Sequence, residues 1–141
     1  MEEKPKPGIG VAAVVFKDGK ILLGEDLTKG GESIFGVPGG HWESGETLSD
    51  AIKREVLEES GIEIQNITLI SVYDFFRKDK NKSYVTIGFK AEHESGTLKD
   101  ESKDTRKNWG WFELDKLPMR IFPPDKILIE RFQSGIVWKE K

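Results

Sequence analysis

The chain has 141 residues, 36% of them hydrophobic and 33% charged, with a formal net charge of −3. Its 8 Phe, 4 Trp and 2 Tyr supply bulk for a core and exclude disorder as the dominant state, while the acidic balance excludes non-specific binding to nucleic acid or to an acidic membrane. The absence of cysteine excludes disulfides, thiolate metal sites and a Cys nucleophile.

Residues 1–7 are charged and proline-containing, with no apolar stretch of signal-peptide type, and predict a flexible lead-in. Residues 8–141 predict one domain. No apolar run reaches the roughly 18 residues that span a bilayer, so a cytoplasmic protein is the expectation. Gly10 to Phe16 (GVAAVVF) is an apolar β-type run, and Asp18-Gly19 before Ile21 to Leu23 predicts a hairpin. Gly30, Gly31 and Ser33 break the next stretch into a loop over 28–33, and Val37-Pro38-Gly39-Gly40 predicts a turn. Thr47 to Ser60 has helical spacing without a breaker. Gly61 suits the position just past its end, and Thr47 with Asp50 suits a capping box.

Two β-rich stretches follow, Ile64 to Phe76 and Ser83 to His93, joined by a charged hairpin over 77–82. A polar loop from Glu94 to Asn108, a short aromatic strand from Trp109 to Leu114, and a helix near Asp125 to Gln133 complete the chain. Strands, helix, strands, helix is the order of an α+β or layered α/β/α domain rather than of a repeated βαβ array.

The Thr47–Ser60 helix carries the chemistry. With Ala51 at zero on a wheel, Leu48, Ile52 and Val56 fall at about 60°, 100° and 140°. Glu55 and Glu59 fall at about 40° and 80°, inside that apolar stripe, and Glu58 borders it at about 340°. A surface helix places its acids on the solvent face, and like charges three and four residues apart repel. Acids crowded into a half-buried stripe with no basic residue within it escape through a raised pKa or a cation. Hard divalent ions take carboxylate oxygens, so the pattern points to an acidic metal site. Arg54 is either a solvated residue pairing with Asp50 or a guanidinium that fixes a carboxylate. Glu46 suits the positive end of the helix. Gly39 and Gly40 fit an ordinary turn or a close approach of a carbonyl to a metal, and spacing leaves both open.

Gly40, five residues, Glu46, seven residues, then Arg54-Glu55-Val56-Leu57-Glu58-Glu59-Ser60-Gly61-Ile62 resembles the complete Nudix box, Gly-x5-Glu-x7-Arg-Glu-U-x-Glu-Glu-x-Gly-U, with U a bulky aliphatic. All nine defined positions in these 23 residues are filled. The resemblance implies an α/β/α sandwich with a mixed β-sheet and hydrolysis of a nucleoside diphosphate linked to another moiety, with Mg2+ or Mn2+. It implies Glu55, Glu58 and Glu59 as metal-facing acids, Glu55 and Glu59 as the direct ligands, and Gly40 as a carbonyl donor. Glu55, Glu58 and Arg54 form the catalytic set, with Arg54 orienting the glutamates; Glu46 and Gly61 support the loop and helix. Some Nudix branches take a base from a loop outside the box, for which Glu94, Asp100, Glu101 and Asp104 are candidates.

Pro38-Gly39-Gly40-His41 and Tyr84-Val85-Thr86 resemble the MutT-like branch, which implies cleavage of canonical or oxidised (d)NTPs to monophosphate and pyrophosphate. The few residues before the first strand support that branch over relatives with an extra N-terminal region. The alternatives are ADP-ribose, a nucleotide sugar or another nucleoside diphosphate derivative, and a non-catalytic nucleotide-sensing domain. His41, Phe35 and Phe76 are the expected substrate contacts, with Phe75 and Trp109 also available. Arg77, Lys78, Lys80 and Lys82 read more simply as a solvated hairpin tip. The expected partner is a small nucleotide, with no stable nucleic-acid or membrane binding, and a monomer or homodimer.

Overall fold

A computed structural model describes residues 3–27, 30–99 and 108–140. The strands are β1 (Gly8–Lys17), β2 (Lys20–Leu27), β3 (Ser33–Gly36), β4 (Gly39–His41), β5 (Glu63–Arg77), β6 (Lys82–Ser95) and β7 (Asn108–Glu113). Helix α1 (Leu48–Ser60) follows β4, and α2 (Pro123–Ser134) follows β7. Among the described residues these strands form one mixed sheet in the order β3-β2-β1-β6-β5, with β4 also paired to β1 and β7 to β2. The pair β1/β6 is parallel, from Gly8↔Tyr84 to Phe16↔Glu92, and every other pair of strands is antiparallel.

The continuous apolar run of β1 has a direct cause. Val11, Ala13 and Val15 point to one face, where Ala51, Ile52 and Val56 of α1 pack on them. Ala12 and Val14 point to the other, against Leu128 and Ile129 of α2. A strand buried on both faces needs apolar residues at every position rather than at alternate ones. The result is the expected α/β/α layering, with α1 and α2 on opposite faces.

Local chemistry explains most boundaries. Asp18 (φ 52°) and Gly19 (φ 79°) form the two-residue hairpin with both φ positive, as the tight β1–β2 connection requires. Thr47 caps α1 by accepting the Asp50 N–H at 3.0 Å, and Gly61 at φ 88° closes its other end by donating to the Leu57 carbonyl. The last helix begins earlier than the sequence predicts, because Pro123 and Pro124 sit in its first turn, where a missing N–H costs nothing. The polar stretch from Glu94 is also shorter than expected, since β6 runs on to Ser95. Among the described residues no helix is long and apolar enough to cross a membrane.

The largest local difference lies at 37–40. The expected turn is replaced at Gly39 and Gly40 by strand β4, which pairs with β1 as Gly10↔His41, Val11↔Gly40 and Ala12↔Gly39. Near Phe16 and Lys17 β1 pairs with β2, but at Gly10 to Ala12 its edge is given to β4. Glycine is what permits this approach: a Cβ on Gly39 would collide with the Val11 carbonyl and crowd Ala12. Gly39→Ala therefore costs about 1–3 kcal/mol of stability as overpacking against backbone. Gly110→Ala, whose Cβ would meet the Phe112 ring at an ordinary 3.4 Å, changes stability by less than about 0.5 kcal/mol. Urea unfolding of the two variants beside the parent checks the contrast.

Candidate active site

The site is built where β4 hands the chain to α1. Arg54, at the middle of α1, reaches back across the connecting loop. Its Nε donates to Glu46 Oε2 at 3.0 Å and its Nη2 to Glu46 Oε1 at 2.8 Å, a two-pronged contact that matches a planar guanidinium to a planar carboxylate. Nη2 also donates to the His41 carbonyl at 3.0 Å, and Nη1 to Glu55 Oε1 at 2.8 Å. Glu58 Oε2 stands 3.5 Å from Nη1 and Glu43 Oε1 3.9 Å. Arg54 thus pairs with Glu46 and Glu55 rather than with Asp50.

Glu46 does not cap the helix; Thr47 does. Its carboxylate instead accepts the Glu43 N–H at 3.0 Å while holding Arg54, and its carbonyl accepts Trp42 Nε1 at 3.0 Å. The bonded Arg54 guanidinium, and after it the Glu43 N–H, hold the Glu46 carboxyl below its usual 4.5. The bond to Glu46, followed by that to Glu55, raises the Arg54 pKa beyond its already high value, so the guanidinium stays charged.

The three glutamates of α1 divide as the wheel places them. Glu55, 14% exposed, and the half-buried Glu59 lie toward the sheet, whereas Glu58 is 60% exposed and faces Arg54. The Glu55 carboxylate fills the space that a Cβ on Gly40 would need. Glu59 Oε1 accepts the Gly39 N–H at 2.8 Å. Two carboxylates therefore converge on the Gly39–Gly40 backbone.

That donor set fits a hard divalent ion. Among the described residues no three His, Asp or Glu side chains gather closely enough to hold a metal unaided. Magnesium rarely asks for three, since it usually binds through one or two carboxylates and keeps water or substrate phosphate as its other ligands. Glu55 and Glu59 supply the carboxylates. Each has an anchoring bond on one oxygen, and a carboxylate carries about four acceptor positions. The Gly40 carbonyl lies against β1, 3.3 Å from where a Cβ on Gly10 would stand.

Beside these acids opens a cavity of about 280 Å3, close to the lower end of small-molecule sites. Gly39, Gly40 and His41 form one side. Phe75, Tyr84 and Phe122 provide aromatic wall, Arg77 and Lys80 the basic part, and Asp125 an acid from the first turn of α2. Phe75 and Phe122 meet edge to face at 5.9 Å, and the His41 ring lies tilted 6.0 Å from Tyr84. Phe122 is brought here by a bridge to β3: Phe35 N–H donates to the Arg120 carbonyl and Phe122 N–H to the Phe35 carbonyl.

Of the three expected substrate contacts, only His41 lines this cavity. Phe76 points away and is 49% exposed. Phe35 packs edge to face on Phe112 at 5.5 Å, in the core beneath α2. Trp109 is buried in the core beneath α1. Arg77 and Lys80, read from sequence as a solvated tip, line the cavity, although Arg77 is also bonded to Asp79 at 2.8 Å. Tyr84 lies in the Tyr84-Val85-Thr86 strand, whereas nothing in the local sequence near Asp125 or Phe122 signals a cavity wall. Of the candidate bases, Glu94 is exposed on β6, in a separate hollow beside Lys53, Arg54 and Leu57. Asp100, Glu101 and Asp104 lie outside the described residues.

Two measurements test the clamp. Stability supplied by a carboxyl of lowered pKa is complete above its ordinary value and drains as pH falls through the lowered one. Glu46→Gln therefore melts below the parent at pH 7, and the gap closes as pH falls below 4.5. Arg54→Lys keeps the charge but loses the fork, and weakens Mn2+ binding about 10- to 100-fold by calorimetry, as for other groups that orient a ligand.

Comparison with known proteins agrees with this geometry. The NUDIX domain family model matches residues 6–132. An ADP-ribose pyrophosphatase of Methanocaldococcus jannaschii is 33% identical over 131 residues, which are 92% of this chain and 76% of the relative. The NAD-capped RNA hydrolase NudC of Yersinia enterocolitica is 33% identical over 127 residues, 90% of this chain but 46% of the relative, so the chain spans less than half of that protein. The crystal structure of a MutT NUDIX hydrolase from Burkholderia pseudomallei superposes with a TM-score of 0.79 at 30% identity, covering 90% of this chain and 98% of that one. Nudix hydrolases generally use divalent metal ions. With a filled box, a clamped pair of acids and a family model spanning most of its length, this chain belongs to the Nudix hydrolases.

Proposed function

We propose that this enzyme hydrolyses a phosphoanhydride bond in the phosphate chain of a nucleotide. The observation that carries the reading is the adjacency of Glu55 and Glu59, gathered on Gly39–Gly40, to an aromatic cavity. One end of the substrate is a polyphosphate that calls for cations; the other is a flat ring that calls for a stacking wall. Phe75, Tyr84 and Phe122 offer the wall, and stacking on such rings contributes about 1–3 kcal/mol per base. Lys80 and His41 border the same space and attract the phosphate end.

Glu55 and Glu59, with the Gly40 carbonyl as a further donor, would hold Mg2+ or Mn2+. When bound, such an ion neutralises phosphate oxygens and makes an attacking water more acidic. The chain's own groups do the positioning. Arg54 fixes one oxygen of Glu55, so the carboxylate keeps one orientation between turnovers. Gly39 N–H does the same for Glu59. Glu58, exposed and beside Arg54, accepts the proton lost by water.

Two leaving groups fit. Cleavage of a canonical or oxidised (d)NTP releases pyrophosphate, in keeping with the MutT-like residues around His41. Cleavage of ADP-ribose or a nucleotide sugar releases a sugar phosphate, and the archaeal relative's name favours that class. The deciding experiment offers the purified protein, with Mg2+ or Mn2+, a panel of (d)NTPs, oxidised dNTPs, ADP-ribose and nucleotide sugars, with products identified by chromatography. Turnover of one class assigns the leaving group, and turnover of none overturns the reading in favour of a binding domain. Glu55→Gln keeps its shape and loses more than the roughly 100-fold that marks a group one step from a metal; near-parental kcat at saturating Mg2+ removes Glu55 from the site.

A further inference from the structure

Helix α1 does not cover all of its face of the sheet. Val11 is buried beneath it, and Ile87 packs against the same cluster. Two residues nearer the start of each strand, and so on the same face, Ile9 and Val85 are 41% and 37% exposed. The parallel register sets these two side by side. Trp42 extends the row. Its N–H donates to the Ile9 carbonyl at 3.1 Å, one step beyond the Gly10↔His41 pair, which places its ring on the Ile9 face. The ring is 41% exposed, and its Nε1 donates to the Glu46 carbonyl at 3.0 Å, so one edge is pinned and a flat side is open. Single exposed apolar residues are ordinary, but this row adjoins the acids. Gly40 pairs with Val11, and the Glu55 carboxylate fills the space on that face where a Gly40 Cβ would stand. Ile9 stands two residues along from Val11, about 7 Å at the rise of a strand. The aromatic cavity opens on the other face: Phe75 pairs with Tyr84 and follows two residues after Tyr73 of the α2-side core. A phosphate chain held at Gly40 therefore has the cavity to one side and the row to the other. The row carries no charge, and the Arg54 guanidinium is taken up by Glu46, Glu55 and the His41 carbonyl. A departing pyrophosphate gains nothing there, whereas a flat ring stacks on Trp42 and covers Ile9 and Val85.

We propose that Trp42, with Ile9 and Val85 beside it, is a second ring-binding subsite that stacks a flat ring on the leaving part of the substrate. The preferred substrate then carries a ring at each end of its phosphate chain, one in the cavity and one on Trp42. The inference rests on the hydrolase reading for what lies at Gly40. Trp42 stands among the five positions between Gly40 and Glu46 that the Nudix box leaves open, so the box itself does not assign it a role.

The test compares kcat/KM for diadenosine diphosphate and ADP-ribose with Mn2+, in the parent, Trp42→Leu and Trp42→Phe. The two substrates share the ADP half and the second ribose and differ by the second ring. Their methylene-bridged analogues, which resist cleavage at that bridge, are titrated by calorimetry. The parent prefers the two-ringed substrate by about tenfold, mainly through KM, the scale of one stacked base. Trp42→Leu brings the ratio close to one, while Trp42→Phe, which keeps a ring and loses the Glu46 bond, retains most of it. Equal loss in both variants assigns the effect to the pinned loop and overturns the inference. Turnover with equal kcat/KM for the two substrates in the parent overturns it while leaving the hydrolase reading intact. A ratio unchanged in Trp42→Leu overturns it as well, and a lower sedimentation mass in that variant then assigns the row to contact between copies of the chain. Absence of turnover with a preference in analogue binding that Trp42→Leu erases supports the inference and sinks the hydrolase reading instead; absence of both overturns the two together.

Discussion

A single guanidinium holds the chemistry of this molecule in place. Arg54 is ringed by Glu43, Glu46, Glu55 and Glu58, and without it those carboxylates would face one another across a short loop. An isolated exposed ion pair contributes little. A fork that meets one carboxylate with two N–H groups, a second carboxylate and a backbone carbonyl with its remaining donors is a different object, because each bond fixes the geometry of the next. The loop that carries His41 and the helix that carries Glu55 are thereby one unit. The acids are positioned before any cation arrives, and an ion that binds does not have to order them first.

The second constraint is missing volume. Gly39 lets β4 lie on β1, and Gly40 leaves the room that the Glu55 carboxylate takes. These two positions join the site to the most deeply buried strand of the domain, whose odd residues pack under α1 and whose even residues pack under α2. Disturbance of the site is therefore felt by the core on both faces of the sheet. The closely approached glycine pair and the apolar run of β1 are two parts of one packing solution.

Legibility in the sequence follows the range of the interactions involved. Helix α1, its Thr47 and Gly61 ends, the Asp18-Gly19 hairpin and the half-burial of Glu55 and Glu59 against the exposure of Glu58 depend on neighbours a few residues away, and spacing reads them. Strand β4 does not read, because a three-residue Gly-Gly segment has the composition of a turn and becomes a strand only when β1 offers an edge. Phe75 and Phe76 show a subtler failure. Register shifts between Gln65 and Thr68 and between Leu69 and Ser71 break the alternation of β5. Ile64 and Ile67 pack on the α1 face, and Ile70 and Tyr73 on the α2 face, each pair three residues apart rather than two. A count of alternate residues loses its phase twice before reaching the phenylalanines. The far wall is remote for another reason: Asp125 meets Val37 across 88 positions of chain, and no local pattern announces such a partner.

The same division of range explains why a filled box identifies a family more readily than a substrate. The acids, the arginine and the glycines lie within the box and are bound to one another. The opposite wall of the cavity is assembled from β5, β6 and the start of α2, none of which lies in the box. Changes on that wall leave the acid clamp untouched, since no bond from Arg54 reaches it. Relatives with similar boxes and differently named substrates are the expected consequence of such an arrangement. On this physical ground, the wall that Phe75, Tyr84 and Phe122 form can vary in sequence while Arg54, Glu55 and Glu59 keep their geometry.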